Sequence, residues 1–171
     1  MLLRPWVVFS LMLTGIASPA ENPPPCPATP TSRVRALIQM TCNDVRAALT
    51  RVPGASARSA RTSFLDERFD CSRQGCVVSL KGSFKKLKDQ ASPEVWLGDF
   101  LERRGWSRTS SHDADGPDGT VFALHQPGAL CLVEGRWNHW DDDDGEHTAD
   151  WYRITVSCGD AEAQPPQAPG P

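Results

Sequence analysis

The sequence predicts an α+β fold held together by disulfides, with the element order helix, then β-α-β-β-β, in which the last three strands form an antiparallel meander. Three observations predict it. An apolar face with helical period comes first, alternating apolar residues fill the last third, and six cysteines occur among 171 residues. The chain is long enough for one domain with a hydrophobic core.

Residues 1–20 have the three parts of a secretory signal peptide. Arg4 supplies the positive charge, residues 7–17 form a short apolar stretch, and residues 18–20 are small enough for signal peptidase cleavage. The apolar stretch is about half as long as a membrane-spanning helix. We therefore expect a secreted or periplasmic protein that has no transmembrane segment after cleavage.

Proline-rich segments border the predicted domain. Residues 21–31 are predicted to be an extended leader, and residues 160–171 a disordered tail. A single α+β domain is therefore expected over residues 32–159.

The first element is a helix over about 33–52, with Ser32 as its predicted cap. Its apolar residues recur every three or four positions and form one face. Pro53 and Gly54 end it. The small and basic residues 54–63 are predicted to be a surface connection.

The second element is a strand over 76–84, after a turn between Cys71 and Cys76. A second helix begins at Ser92-Pro93-Glu94, which combines a capping serine, a proline at the first position and an early acid. Gly105 ends this helix.

Three strands are predicted over 120–126, 129–138 and 150–158. Matching their apolar alternation gives a definite register, since a slip of one residue would send the apolar set to the other face. The predicted pairs are Gln126 with Ala129, Leu124 with Cys131, Phe122 with Val133, Trp137 with Tyr152, Gly135 with Ile154, Val133 with Val156, and Cys131 with Cys158.

This register predicts a disulfide between Cys131 and Cys158, because directly opposed residues lie within reach of each other. A Cys71–Cys76 bridge is expected from proximity in sequence, which leaves Cys26–Cys42. Six cysteines allow 15 connectivities, so the last two pairs are open at this point.

Charge is unevenly distributed along the chain. Residues 33–108 sum to +7 and residues 109–162 to −10, within a net charge of −3. An acidic mature chain with scattered arginines does not favour nucleic-acid binding. The acidic part suits a basic partner or a cation, or the two halves neutralise each other in the fold.

The connection between the last two strands is the first candidate site. Carboxylates flanked by indoles predict a contact surface that steers and anchors a basic partner, formed by Trp140, Asp141, Asp142, Asp143, Asp144 and Trp151. Clustered oxygens also suit calcium, with Asp142, Asp144, Glu146 and His147 as candidate ligands. The plain alternative is a solvated acidic hairpin tip.

Catalytic motifs are weak. Ser110 or Ser111 beside His112 and Asp113 is a local juxtaposition, and a triad needs residues that the fold brings together. We therefore expect an exported soluble binding or inhibitor-type protein without catalytic activity or cofactor, which contacts an unknown protein or envelope component through the acidic hairpin. The alternatives are a calcium-binding extracellular module and a hydrolase of envelope or extracellular polymers.

Overall fold

The computed structural model describes residues 24–26, 30–83, 86, 93–116, 118–137 and 151–161. It has two helices and a six-stranded antiparallel sheet, and is mostly β. The elements are α1 (Ser32–Leu49), β1 (Ser56–Asp66), β2 (Cys71–Ser83), α2 (Pro93–Glu102), β3 (Ser107–Gly116), β4 (Gly119–Gln126), β5 (Ala129–Trp137) and β6 (Trp151–Asp160). The strand order is β1-β2-β6-β5-β4-β3.

Helix α1 begins one residue before the predicted start. Thr31, not Ser32, is the cap, and its hydroxyl accepts a hydrogen bond from the backbone N–H of Val34 at 3.3 Å. The buried residues of α1 follow the predicted apolar period, so this helix covers the sheet with one face. Although α1 ends at Leu49, Val52 is still buried beyond it.

The register predicted for the last strands is confirmed. Gln126 lies opposite Ala129 and Phe122 opposite Val133 in the β4–β5 pair, while Trp137 lies opposite Tyr152 in the β5–β6 pair. The predicted alternation places apolar side chains on one sheet face, which both helices cover. We call this the helix face, and the other the open face, to which Leu130, Leu132, Glu134, Arg136, Arg153, Thr155, Ser157 and Gly159 belong.

Two strands were not predicted. Strand β1 replaces the surface connection expected over 54–63, and most of its residues are exposed, so it has no apolar alternation to signal a strand. Strand β3 is polar apart from Ala114 and Gly116, and most of its residues are exposed. The three-stranded meander is thereby extended to four strands, and β2 joins it alongside β6.

The disulfides correct two predicted pairs. Cys71 and Cys76 do not flank a turn but lie on the same strand β2, five residues and about 16 Å apart, beyond the reach of a disulfide. Cys71 is instead bonded to Cys26, with Cα atoms 5.0 Å apart, and Cys76 to Cys42 of α1, with Cα atoms 6.5 Å apart.

The third bridge, Cys131–Cys158, is formed as predicted, with Cα atoms 4.1 Å apart. The leader is also held by backbone bonds, since Cys26 N–H donates to the carbonyl of Ser72 at 2.9 Å and Ser72 N–H donates to Pro24 at 2.7 Å. In the described residues, neither helix has the length and apolar character needed to cross a membrane.

Candidate functional site

The two edges of the sheet meet at one point. Strands β1 and β3 are the edge strands, yet Nε2 of His112 in β3 lies 3.2 Å from Oδ1 of Asp66 in β1. A flat sheet of six strands would hold its edges about 24 Å apart, at about 4.8 Å per neighbouring pair. The sheet is therefore strongly curled toward its open face.

An irregularity in β3 carries His112 across this face. The pairing of β3 with β4 breaks between Thr109 and Ala114, where residues 110–113 lie opposite only Phe122. Extra residues on one strand leave the ladder, bend the strand and re-aim its side chains. The bulge thus brings His112 closer to Asp66 than a regular strand would.

Asp66 is the centre of the contact and is completely buried. Its Oδ2 accepts a hydrogen bond from Nε of Arg73 at 2.7 Å, while Oδ1 faces His112. Burial alone would raise the pKa of Asp66, but the hydrogen bonds from His112 and Arg73 outweigh it and hold this pKa below its usual value. The carboxylate is therefore ionised at neutral pH and can only accept hydrogen bonds.

Arg73 and Phe69 complete the surroundings of Asp66. Nη1 of Arg73 donates to the backbone carbonyl of Asp160 at 2.6 Å, which ties the end of β6 to the same point. The ring of Phe69, 55% exposed, lies with its centroid 5.7 Å from the Arg73 guanidinium and 6.0 Å from the His112 ring. This aromatic side chain shields the Asp66–Arg73 ion pair from one side.

The hydroxyl of Ser111 contacts the other nitrogen of the His112 ring. Its Oγ lies 2.8 Å from Nδ1 of His112 and accepts a hydrogen bond from the hydroxyl of Thr109 at 3.1 Å. Because the Asp66 carboxylate can only accept, Nε2 of His112 carries a hydrogen; in the neutral tautomer that fits this contact, Nδ1 accepts from Ser111. We call Asp66, Arg73, Ser111 and His112 the edge cluster.

A cavity of about 330 Å³ lies beside the edge cluster, within the curl of the open face. Five strands and the β1–β2 connection contribute to its wall. The lining residues are Phe64, Leu65, Glu67, Arg68, His112, Ala114, Val121, Leu132, Glu134, Arg136, Thr155 and Ser157. The volume is at the lower end of the range of small-molecule sites.

The wall of this cavity, the sheet cavity, is mixed: five of its twelve lining residues are apolar, and the other seven are polar or charged. Val121 and Leu132 are its aliphatic side chains in the meander, and the hydroxyls of Thr155 and Ser157 lie beside them on β6. Glu134 and Arg136 form an ion pair with each other, which balances their charge. A mixed wall of this kind suits a ligand that has both an apolar part and hydrogen-bonding groups.

Exposed apolar residues flank the sheet cavity. Leu65 and Phe69 are 45% and 55% exposed, and both belong to the β1–β2 hairpin. They are two of the four large apolar side chains found exposed among the described residues. Leu65 lines the cavity, and Phe69 lies next to His112, which also lines it.

A second pair of ionisable residues, Tyr152 and Glu94, lies on the helix face. Burial raises the pKa of Tyr152, and the negative charge of Glu94 raises it further. Glu94 is itself buried in the first turn of α2, where its Cγ would lie 3.2 Å from a Cβ placed on Gly135. Gly135 therefore allows the start of α2 to sit close on the sheet.

Most residues of the predicted acidic site fall outside the described part. They are Trp140, Asp141, Asp142, Asp143, Asp144, Glu146 and His147. Trp151 is described: it is half-buried at the start of β6, and Nζ of Lys81 lies 5.2 Å from its ring centroid. Within the described ranges, no three His, Cys, Asp or Glu side chains gather in a way that could hold a metal ion.

Sequence reasoning missed most of the edge cluster. It noted Ser110 or Ser111 beside His112 and Asp113 as a local juxtaposition only, whereas the carboxylate that reaches the imidazole belongs to Asp66, 46 residues away. Two signals were present in the sequence. His112 directly follows Ser111 in a polar stretch, and Asp66 precedes the turn that leads to Cys71.

Comparison with known proteins does not add a family. No family model, no curated protein sequence and no solved structure matches the chain significantly.

Proposed function

We propose that this is an exported binding protein that takes a small amphiphilic ligand in the sheet cavity. The observation that carries the proposal is the cavity of about 330 Å³ on the open face, with exposed Leu65 and Phe69 beside it. Three disulfides support an oxidising destination, which agrees with the signal peptide predicted over residues 1–20.

The wall chemistry defines the ligand class. The apolar body of the ligand would lie against Val121 and Leu132, and its polar group would bond to Thr155 or Ser157. Burying the ligand's apolar surface contributes about 25 cal/mol per Å², so binding depends mainly on that body. The hydroxyls would set orientation rather than affinity.

A matched pair of variants tests the site. Thr155 and Ser79 lie opposite each other across β6 and β2 and both are half-buried, but only Thr155 lines the sheet cavity. We expect the dye 8-anilinonaphthalene-1-sulfonate to bind the folded protein and medium-chain alcohols to displace it. Thr155→Phe should remove this binding and Ser79→Phe should leave it, whereas equal behaviour of the two variants refutes the site.

The acidic hairpin remains a second proposed surface, for a basic protein or envelope partner. Its support is the −10 charge of residues 109–162 and the placement of Trp151 at the start of β6. Trp140→Ala should weaken capture of a basic partner without lowering the melting temperature. A loss of fold in that variant would rule out Trp140 as a surface anchor.

Calcium binding at Asp142, Asp144, Glu146 and His147 is the alternative proposal for the same hairpin, supported by its run of carboxylates. Millimolar calcium should raise the melting temperature, and EDTA should reverse the rise. Asp142→Asn combined with Asp144→Asn should abolish it. An unchanged melting temperature in the wild type contradicts the proposal.

A further inference from the structure

The edge cluster has the hydrogen-bond order of an activated serine. Ser111 Oγ contacts Nδ1 of His112 at 2.8 Å, and Nε2 of the same ring contacts Asp66 at 3.2 Å. A hydroxyl within hydrogen-bond reach of a base, which a third group orients, is the general signature of a nucleophile. The imidazole is turned over relative to serine proteases, where Nε2 faces the serine, but either ring nitrogen can act as the base.

We propose that Ser111 is a nucleophile that accepts an acyl group from an ester. Its Oγ bonds to the acyl carbon while its proton passes to Nδ1 of His112. The C–O bond to the leaving alcohol breaks, and the alcohol takes that proton. Water then attacks the acyl–Ser111 ester with His112 as the base, which releases the carboxylic acid and restores the Ser111 hydroxyl.

The surroundings allow access for an acyl group. The Ser111 residue is half-buried, and the neighbouring His112 lines the sheet cavity, which offers apolar wall to an acyl chain. Asp66 is a positioning residue, because it contacts the ring and not the reacting atoms. Since Arg73 shares this carboxylate, less negative charge remains to stabilise a protonated His112, so we expect slow turnover.

Covalent labelling is the sharpest test, because it does not require the natural substrate. The wild-type protein should react with a fluorophosphonate probe, and fragmentation of the labelled peptide should place the adduct on Ser111. Ser111→Ala should abolish the label. Ser110→Ala is the matched control: Ser110 is the exposed neighbour, while the hydroxyl bonded to the imidazole in the described contacts is that of Ser111.

A second variant separates chemistry from structure. His112→Gln keeps a donor for Asp66 and an acceptor for Ser111 but removes the base, so labelling should slow by about 10²-fold or more at an unchanged melting temperature. If His112→Gln unfolds, the comparison of Ser111→Ala with Ser110→Ala still tests the proposal, because both variants leave the Asp66–Arg73 pair in place. Labelling of the Ser111→Ala variant at the wild-type rate, or none in the wild type, overturns the proposal.

Discussion

The carboxylate of Asp66 and the imidazole of His112 join the two edge strands of one sheet, across 46 residues of sequence. The contact is buried on both sides, since the His112 side chain is 8% exposed and Asp66 is not exposed at all. It holds the edges of the curled sheet together beside the sheet cavity, which His112 also lines. The stability of the fold should therefore depend strongly on this one carboxylate.

Asp66→Asn should lower the free energy of unfolding by about 3–5 kcal/mol, because it leaves the guanidinium of Arg73 buried without a counter-charge. Urea titration at neutral pH measures the loss. Asp70→Asn is the control: Asp70 is exposed and has φ of 46°, a conformation that asparagine tolerates well. Similar losses in both variants would show that Asp66 has no special role.

Low pH should lower the stability of the fold by protonating the Asp66 carboxylate. The folded-state pKa of Asp66 is held below its usual value, so the contribution of Asp66 to stability is present above the unfolded pKa of about 3.9 and is lost as the pH falls through the lower folded pKa. The difference in unfolding free energy between wild type and Asp66→Asn should therefore shrink below about pH 4. A difference that stays constant down to about pH 2 contradicts this linkage.

Tyr152 offers a spectroscopic test on the other face, because it is the one tyrosine of the chain. Absorbance titration should give it a pKa above its usual value, owing to burial and to the charge of Glu94. Glu94→Gln should lower this pKa while burial still keeps it raised. A normal titration in the folded wild type would mean that Tyr152 is open to solvent.

Gly159 should be sensitive to substitution. A Cβ there would lie 2.8 Å from Cε1 of Phe64 and 3.1 Å from Cβ of Arg73, so Gly159→Ala should displace the Phe64 ring and lower stability by about 1–3 kcal/mol. Gly116→Ala is the control, because its nearest neighbour would be a carbonyl oxygen at 3.9 Å. Equal melting temperatures for the two variants would contradict the close contact.

Peptide mapping can check the disulfides. Trypsin cleaves after Arg73 and so separates Cys71, in the peptide 69–73, from Cys76, in the peptide 74–81. Without reduction, the peptide 74–81 should be linked to 36–46, which carries Cys42. A link between 69–73 and 74–81 would instead restore the pairing expected from proximity alone.

The meander was predictable because its information is local. Val133 and Val156 alternate with partly exposed residues, and a register that buries both together with Phe122 also brings Cys131 opposite Cys158. Strand β1 lacked this signal, since the exposed Arg58 and Arg61 make no apolar alternation. Its partner strand supplies the pairing that its sequence does not specify.

The candidate site was less predictable than the fold. His112 meets Asp66 only because the sheet curls and because residues 110–113 bulge out of the ladder. Neither event has a local sequence pattern, since both follow from how distant strands pair. The sequence could show that Ser111 and His112 are neighbours, but not which carboxylate the fold would bring to them.

The pairs Cys26–Cys71 and Cys42–Cys76 interlace, since each loop encloses one cysteine of the other. A chain oxidised in the order in which its cysteines emerge would first join Cys26 to Cys42 and Cys71 to Cys76. Both of those bonds must then be exchanged through mixed disulfides, a process that takes minutes to hours without a catalyst. For a chain oxidised in that order, we therefore expect refolding to need a thiol–disulfide isomerase or a glutathione couple in addition to an oxidant.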